Sequence, residues 1–314
     1  MFTHKTTLII PTRNRSLKLK KLIKDVIKLK IIFNEIIVVD SSDIAHKKKI
    51  INFLKKKKVK LINTFPSTTH QRNIGLKLRK KNSKYVLFFD DDIKINKKAF
   101  IEMNNGIIKY SKINKICSFA FNLQTDRKKF KFERIKKSKL VKMLGLYSEK
   151  PGKVMKSGWH TKISNLSKDT FVQWIYSGAT LFKTNIIKQM KFKNLNKGFN
   201  YLEDLHFSFN LTKKKFRHLV IAKATVSNPN LVSRNDSNFG FIEILNRYKF
   251  VETYKLEKIN FYITALIRML YLSTNILHLR LSWIQRFFGN LKGIFSCIIL
   301  DINKKINEYE NTFD

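Results

Sequence analysis

The first ninety residues alternate two periods. Apolar runs with the character of buried strands, TTLIIP (Thr6 to Pro11), EIIVVD (Glu35 to Asp40), VKLINT (from Val59) and KYVLFF (from Lys84), are separated by segments whose apolar residues recur every three or four positions. RSLKLKKLIKDVIKLK places Leu19, Leu22, Ile23, Val26 and Ile27 on one helix face, and IINFLKKKK and HQRNIGLKLRKK, the latter opened near Thr69, repeat the pattern. Strand, helix, strand in this order is the mark of parallel βαβ units. The expected class is therefore α/β, a mostly parallel sheet flanked by helices.

In such a sheet, sites collect at the carboxyl ends of the strands. Three polar endings follow buried runs directly: Pro11-Thr12-Arg13-Asn14, Asp40-Ser41-Ser42-Asp43 and Asp90-Asp91-Asp92. They should converge on one edge. The acidic triplet stands out because the chain carries 64 Lys and Arg against 22 Asp and Glu, a formal net charge of +42. Adjacent carboxylates repel, and a strand-end cluster of them is tolerated when a hard cation such as Mg²⁺ or Mn²⁺ binds their oxygens. The competing reading is a solvated loop leading to a helix capped by Asn96. A metal held by one or two carboxylates completes its shell with water and substrate phosphates, which points to a diphosphate. Neither a Gly-x-Gly-x-x-Gly nor a Gly-x-x-x-x-Gly-Lys-Ser/Thr motif is present, so a nucleotide-sugar held through its metal fits better than a dinucleotide or a P-loop ligand.

The segments TLIIPTRNR, EIIVVDSSD, HQRNIGL, YVLFFDDDI, WIYSGATLFKTNII and YLEDLHFSFNL, in this order and spacing, resemble the inverting family-2 glycosyltransferases with the GT-A (Rossmann-like) fold, over roughly residues 5 to 230. The phrase RFFGNLKGI further resembles the helical extensions of bacterial members that build surface polysaccharides. The resemblance implies roles. Pro11, Thr12 and Arg13 would line the nucleoside pocket, with Asp40 hydrogen-bonding base or ribose and Arg72 and Asn73 contacting pocket and donor. Asp90 and Asp92 would be the ends of the Asp-x-Asp signature, Asp92 the direct metal ligand and Asp91 facing the donor sugar. Trp174, Ser177 and Gly178 would wall the acceptor side. An inverting transfer needs a base opposite the leaving diphosphate, and the resemblance assigns it to Asp204, with Glu203 beside it. Many relatives place a further metal-binding His after the next strand, where this chain reads ATVSNPN. His206 and His218 are not equivalent positions and read as structural or exposed.

Beyond the triplet, Leu123 to Thr170 is a long basic stretch without clear period, FVQWIYSGATLFKTNII reads as two short strands about Ser177-Gly178 and a helix capped by Thr184, and YLEDLHFSFNLTKK as a helix exposing Glu203 and Asp204 at its start. RHLVIAKATVS closes the α/β part as a strand, and residues 237 to 300 are helical by period with apolar faces carrying Arg and aromatics. The expected division is a GT-A-like domain over 1–235 and a basic amphipathic helical extension over 236–314. Cys117 and Cys297 lack metal spacing and read as buried apolar residues in a reducing compartment. The N-terminus shows no secretory signal, and Arg268, His278, Arg280, Arg286 and Lys292 interrupt the C-terminal region too often for a membrane span, so the expected location is the cytoplasm, peripheral at the inner face of the membrane. The expected partners are a nucleotide-sugar donor, a glycan or lipid-linked acceptor and an anionic membrane surface. Two alternatives stay open: a nucleotidyltransferase, which would want a glycine in the PTRNRS loop, and a basic nucleic-acid-binding module. Nucleic acid is the disfavoured partner, because Phe88 and Phe89 sit in a run that should be buried rather than on an exposed stacking face.

Overall fold

The computed structural model describes residues 1–125, 141, 145–195, 201–228, 236–276 and 281–310, with side chains through 273 and 303 in the last two segments. By its contacts the chain forms two compact units, one from 1–127, 151–153 and 162–231, the other from 128–150, 154–161 and 232–314.

The first unit is built on one eight-stranded sheet, ordered β3-β2-β1-β4-β7-β5-β8-β6 among the described residues. Its strands are β1 Thr6–Thr12, β2 Glu35–Asp40, β3 Lys60–Asn63, β4 Tyr85–Phe89, β5 Ile116–Gln124, β6 Thr170–Val172, β7 Ala179–Lys183 and β8 Arg217–Ser227. The first four are mutually parallel, β5 and β8 are parallel, and β7 runs antiparallel between β4 and β5. The helices are α1 Ser16–Lys28, α2 Ile44–Leu54, α3 Thr68–Leu78, α4 Lys97–Lys109, the single turn α5 Thr184–Ile187, and α6 Glu203–Lys213. β1 and β4 are buried along their whole length, as expected for parallel strands covered on both faces. Ser67 accepts from the His70 amide at the start of α3, and Asn96 accepts from the Ala99 amide at the start of α4.

Several local expectations are corrected. Ile27 is 55% exposed, because it lies at the rim of the α1 stripe centred on Leu19, Leu22, Ile23 and Val26. The strands flanking Ser177-Gly178 are not partners: β7 lies in mid-sheet, and β6 pairs with β8 at the edge. Thr184 is the first residue of α5, not its cap. Glu203 and Asp204 are largely buried, because the start of α6 faces α3 rather than solvent. β5 has no counterpart among the strands expected from the sequence. Of the basic stretch after Thr125, residues 126–140 and 142–144 lie outside the described residues.

The second unit contains α7 Ser237–Thr253, α8 Lys258–Ile276 and α9 Leu281–Glu310. Ile244, Tyr248, Val251, Phe261, Ala265 and Cys297 form its core. α7 and α9 pack so closely at Gly289 that a Cβ there would stand 2.0 Å from the Ser237 carbonyl oxygen. Glu243 on α7 is buried and ion-paired to Arg268 of α8 (2.9 Å) and Arg286 of α9 (2.8 Å). Burial opposes its charge, but the two guanidiniums, with Arg247 adding to them, hold the carboxyl down at about 2. Its folded value lies below the ordinary 4.5, so the stability it contributes is present above about pH 4.5 and is lost as pH falls toward about 2. Urea titrations followed by helical circular dichroism should show that loss, about 3 kcal/mol in all. Glu243→Gln should abolish the acid-dependent part; an unchanged pH profile in that variant would exclude the assignment.

Among the described residues no helix is long and apolar enough to cross a membrane.

Candidate active site

The C-terminal ends of β1, β2 and β4 meet at one edge, where the three polar endings converge. Gln71 of α3 holds that edge in register, its amide donating to the carbonyls of Thr12 (2.8 Å) and Val39 (2.7 Å). Asn14, at φ +53°, joins the first two endings: its main chain donates to the Ser42 hydroxyl, and its side chain bonds Asp43. Pro11 and Thr12 are buried and Arg13 is exposed beside them. Asp40 is buried; one carboxylate oxygen accepts from Ser42, and the other has no partner among the described residues. A buried unmatched acceptor is costly, and here it lies at the edge where a ligand N–H or O–H would satisfy it.

The triplet divides into three environments. Asp91 is 4% exposed and receives the Thr12 hydroxyl at 2.6 Å and the Arg15 guanidinium at 3.2 Å. Burial pushes its carboxyl up to about 6 against those two contacts, with Asp92 and Asp90 adding to the rise. Asp92 is held by Arg15 (3.3 Å), Lys18 (3.5 Å) and the Asn228 amide (2.9 Å). Asp90 is the open member, 42% exposed. Its amide donates to the Gly178 carbonyl at 2.9 Å, and its carboxylate lies across Gly178, where a Cβ would come within 2.2 Å of it. The negative cluster of this basic chain is thus met by cations of the chain itself.

Arg72 joins the triplet to the start of α6. It is 3% exposed, and its guanidinium contacts Asp204 at 3.0 Å and Glu203 at 3.3 Å through one nitrogen and Asp90 at 3.2 Å through another. The Phe192 ring lies 5.4 Å away. Glu203 and Asp204 therefore share one cation. Burial pushes both carboxyls above their ordinary range; their proximity raises Glu203 further, while Arg72 and Ser177 pull Asp204 down. Leu202, immediately before them, sits at φ +73°, a costly conformation for a branched side chain.

Other expected residues have different surroundings from those anticipated. Arg72 is a buried ion-pair hub. Asn73 exchanges two hydrogen bonds with the Phe192 main chain (2.8 and 2.9 Å) and so positions the segment after α5. Trp174 is 2% exposed and meets Tyr176 edge to face, leaving Tyr176 as the accessible ring. Asp91 faces Thr12 and Arg15. His206 and His218 are both buried; His218 bonds Ser118 and the Ser208 carbonyl, and burial takes its imidazole down to about 4. Arg15, Lys18, Gln71 and Asn228 were not singled out from sequence. Arg15 and Lys18 could have been, since they open the helix that follows the first polar strand end.

Among the described residues no three His, Cys, Asp or Glu side chains converge as a metal site. The donor chemistry nevertheless fits a hard divalent ion. Asp90 and Asp92 offer only oxygen, Asp90 is accessible, and two carboxylates leave places for water and phosphate oxygens.

The model of glycosyl transferase family 2 matches residues 7–166, a span that runs from the second residue of β1 through β5 and includes the triplet. The chain belongs to this family. Solved glycosyltransferases share its fold at low identity. A structure of GalNAc-T7 with UDP, GalNAc and Mn²⁺ superposes with TM-score 0.55 and 12% identity over 73% of this chain, which spans 43% of that one. The mannosyltransferase PcManGT from Pyrobaculum calidifontis, in complex with GDP-Man and Mn²⁺, gives 0.53 and 11% over 95% of this chain and 87% of its own. S. aureus TarS 1-349 gives 0.53 and 15% over 93% and 80%. A search of curated sequences finds no match. These likenesses establish the GT-A fold expected from the sequence.

Proposed function

We propose that this family-2 member transfers a sugar, with inversion, from a nucleotide-diphosphate donor to a glycan or lipid-linked acceptor in the synthesis of a cell-surface polysaccharide. The observation that carries the reading is the Arg72 hub, which puts the accessible carboxylate of the triplet and the Glu203–Asp204 pair on two nitrogens of one guanidinium. A donor-side and an acceptor-side carboxylate are thereby held within one side chain of each other. The unmatched Asp40 oxygen supports a nucleoside beside β2, and the exposed Arg13 lies at the same edge.

In this mechanism Asp204 takes the proton from the acceptor hydroxyl as the anomeric centre opens, and its burial raises its basicity toward that task. Glu203 shares the Arg72 charge with it. Asp90 and Asp92 would hold Mg²⁺ or Mn²⁺, which when bound supplies charge stabilisation to a departing diphosphate. Thr12 and Arg15 keep Asp91 fixed beneath them. Ser177, Gly178 and Tyr176 bound the acceptor side.

A thermal-shift panel of UDP, GDP, dTDP and CMP sugars, with and without Mn²⁺, tests the reading. One nucleoside class should raise the midpoint by several degrees when present at about 100 times its Kd, and more strongly with Mn²⁺. Stabilisation by none of them would remove the proposal.

The acceptor side of the reading extends to an anionic membrane. α9 exposes Leu281, Phe288, Phe295 and Ile302 at seven-residue intervals, and α8 exposes Ile259, Leu266 and Leu270. Apolar stripes on a chain of net charge +42 suit a peripheral position on an anionic leaflet, where each nearby Lys or Arg contributes about 1 kcal/mol. The chain should co-sediment with phosphatidylserine-containing vesicles and not with phosphatidylcholine alone; remaining in the supernatant with both would count against it.

A further inference from the structure

A cavity of about 620 Å³ lies at the opposite edge of the sheet from the carboxylates. Tyr85, the first residue of β4, and Lys183, the last of the antiparallel β7, are a register pair and both line it, so one strand length separates it from Asp90. Among the described residues five cations surround the space, Arg79, Lys81, Lys84, Lys183 and Lys188, and no carboxylate lines it. None of the five is ion-paired to a carboxylate among the described residues. By contrast, buried Glu243 is matched by two arginines, and the acidic triplet by Arg15, Lys18 and Arg72. Thr184 also lines the cavity; it is 6% exposed, and its hydroxyl has no hydrogen-bond partner among the described residues.

Like charges gathered around a concave, partly desolvated space raise one another's free energy and attract a counter-charge. Burial already pulls the Lys183 ammonium below its ordinary value, and Lys84 adds to that pull. Ammonium groups, a guanidinium and a hydroxyl are the donors that satisfy phosphate oxygens. The volume exceeds the needs of a single inorganic ion and falls in the range of small-molecule sites, about 300–1,000 Å³. We propose that this cavity is a second ligand site, distinct from the strand-end carboxylates, that binds a phosphate-bearing molecule. The assignment is independent of the proposed transfer reaction. Its ligand comes either from solution, as a diphosphate or sugar phosphate, or from the headgroup of a phospholipid.

Isothermal titration of the full chain in EDTA, at physiological salt, tests it with two probes: inorganic pyrophosphate, and dihexanoyl phosphatidic acid below its micelle concentration. EDTA removes any divalent ion that could hold pyrophosphate at Asp90 and Asp92. At least one probe should bind saturably, and the tighter one identifies the source. The variant Lys84→Gln/Lys183→Gln should weaken that binding at least tenfold, and Thr184→Val severalfold, with thermal midpoints near the parent's. Lys48→Gln/Lys49→Gln, an equal charge change on the exposed face of α2, should leave it unaltered. Saturable binding of neither probe would overturn the proposal. So would equal weakening by the α2 pair, the result expected of diffuse attraction to a basic protein.

Discussion

Asp204→Asn should reduce the turnover of sugar transfer by about 10²- to 10⁴-fold, the usual worth of a positioned general base, while leaving donor binding within a few-fold of the parent. The amide is isosteric, and its carbonyl oxygen can keep the 3.0 Å contact with Arg72, so the fold should survive. What disappears is the group proposed to take the acceptor's proton. Glu203→Gln provides the internal comparison. Both carboxyls are raised by burial, but in the proposed mechanism Glu203 only shares the Arg72 charge, so its amide should matter less to turnover. Steady-state kinetics on both variants, with circular dichroism as a fold control, separates the roles. Parental turnover in Asp204→Asn would remove Asp204 as the base.

Arg72→Met should be the most damaging single substitution for stability in the first unit. It leaves Asp90, Glu203 and Asp204 without their shared cation, and breaking a buried ion pair from one side costs about 3–5 kcal/mol. Methionine fills much of the same volume beside Phe192, so the loss reports charge rather than a void. Arg72→Lys should recover only part, because a single ammonium cannot serve Asp90 and the Glu203–Asp204 pair from two nitrogens. The companion variant Arg72→Met/Glu203→Gln should be less destabilised than Arg72→Met alone, since one stranded carboxylate is gone. Urea denaturation of the set measures these differences. A variant Arg72→Met as stable as the parent would show that the three carboxylates are not coupled through Arg72.

The acidic triplet and the Glu-Asp pair were both visible in the sequence because each interrupts a strongly patterned apolar segment. Asp90 to Asp92 follow Val86 to Phe89, all fully buried, and a charge at such a boundary has to lie at a strand end. The residues that organise these acids carried no comparable signal. Arg15 and Lys18 had only their place at the opening of α1 to mark them among the many basic residues of that segment, and nothing local named Asp91 and Asp92 as their partners. Asn228 lies 136 positions from Asp92, and such a pairing exists only once β8 is in place. Arg72 was visible inside HQRNIGL, but its burial and its three carboxylate partners were not. Local pattern reports which residues are polar, not which polar residues face one another.

The same division runs through the whole protein. Sequence alone determined the βαβ order, the strands from Thr6 to Phe89, the family resemblance and the edge on which the polar endings collect, because hydrophobic period and strand-end chemistry are local properties. Only the tertiary structure decided that β7 enters the sheet antiparallel between β4 and β5, carrying Gly178 to Asp90 at one end and Lys183 to the basic cavity at the other. It also decided that the start of α6 turns inward onto Arg72. Those outcomes depend on pairings between residues roughly a hundred positions apart, set by close packing and by the cost of leaving a buried charge unmatched.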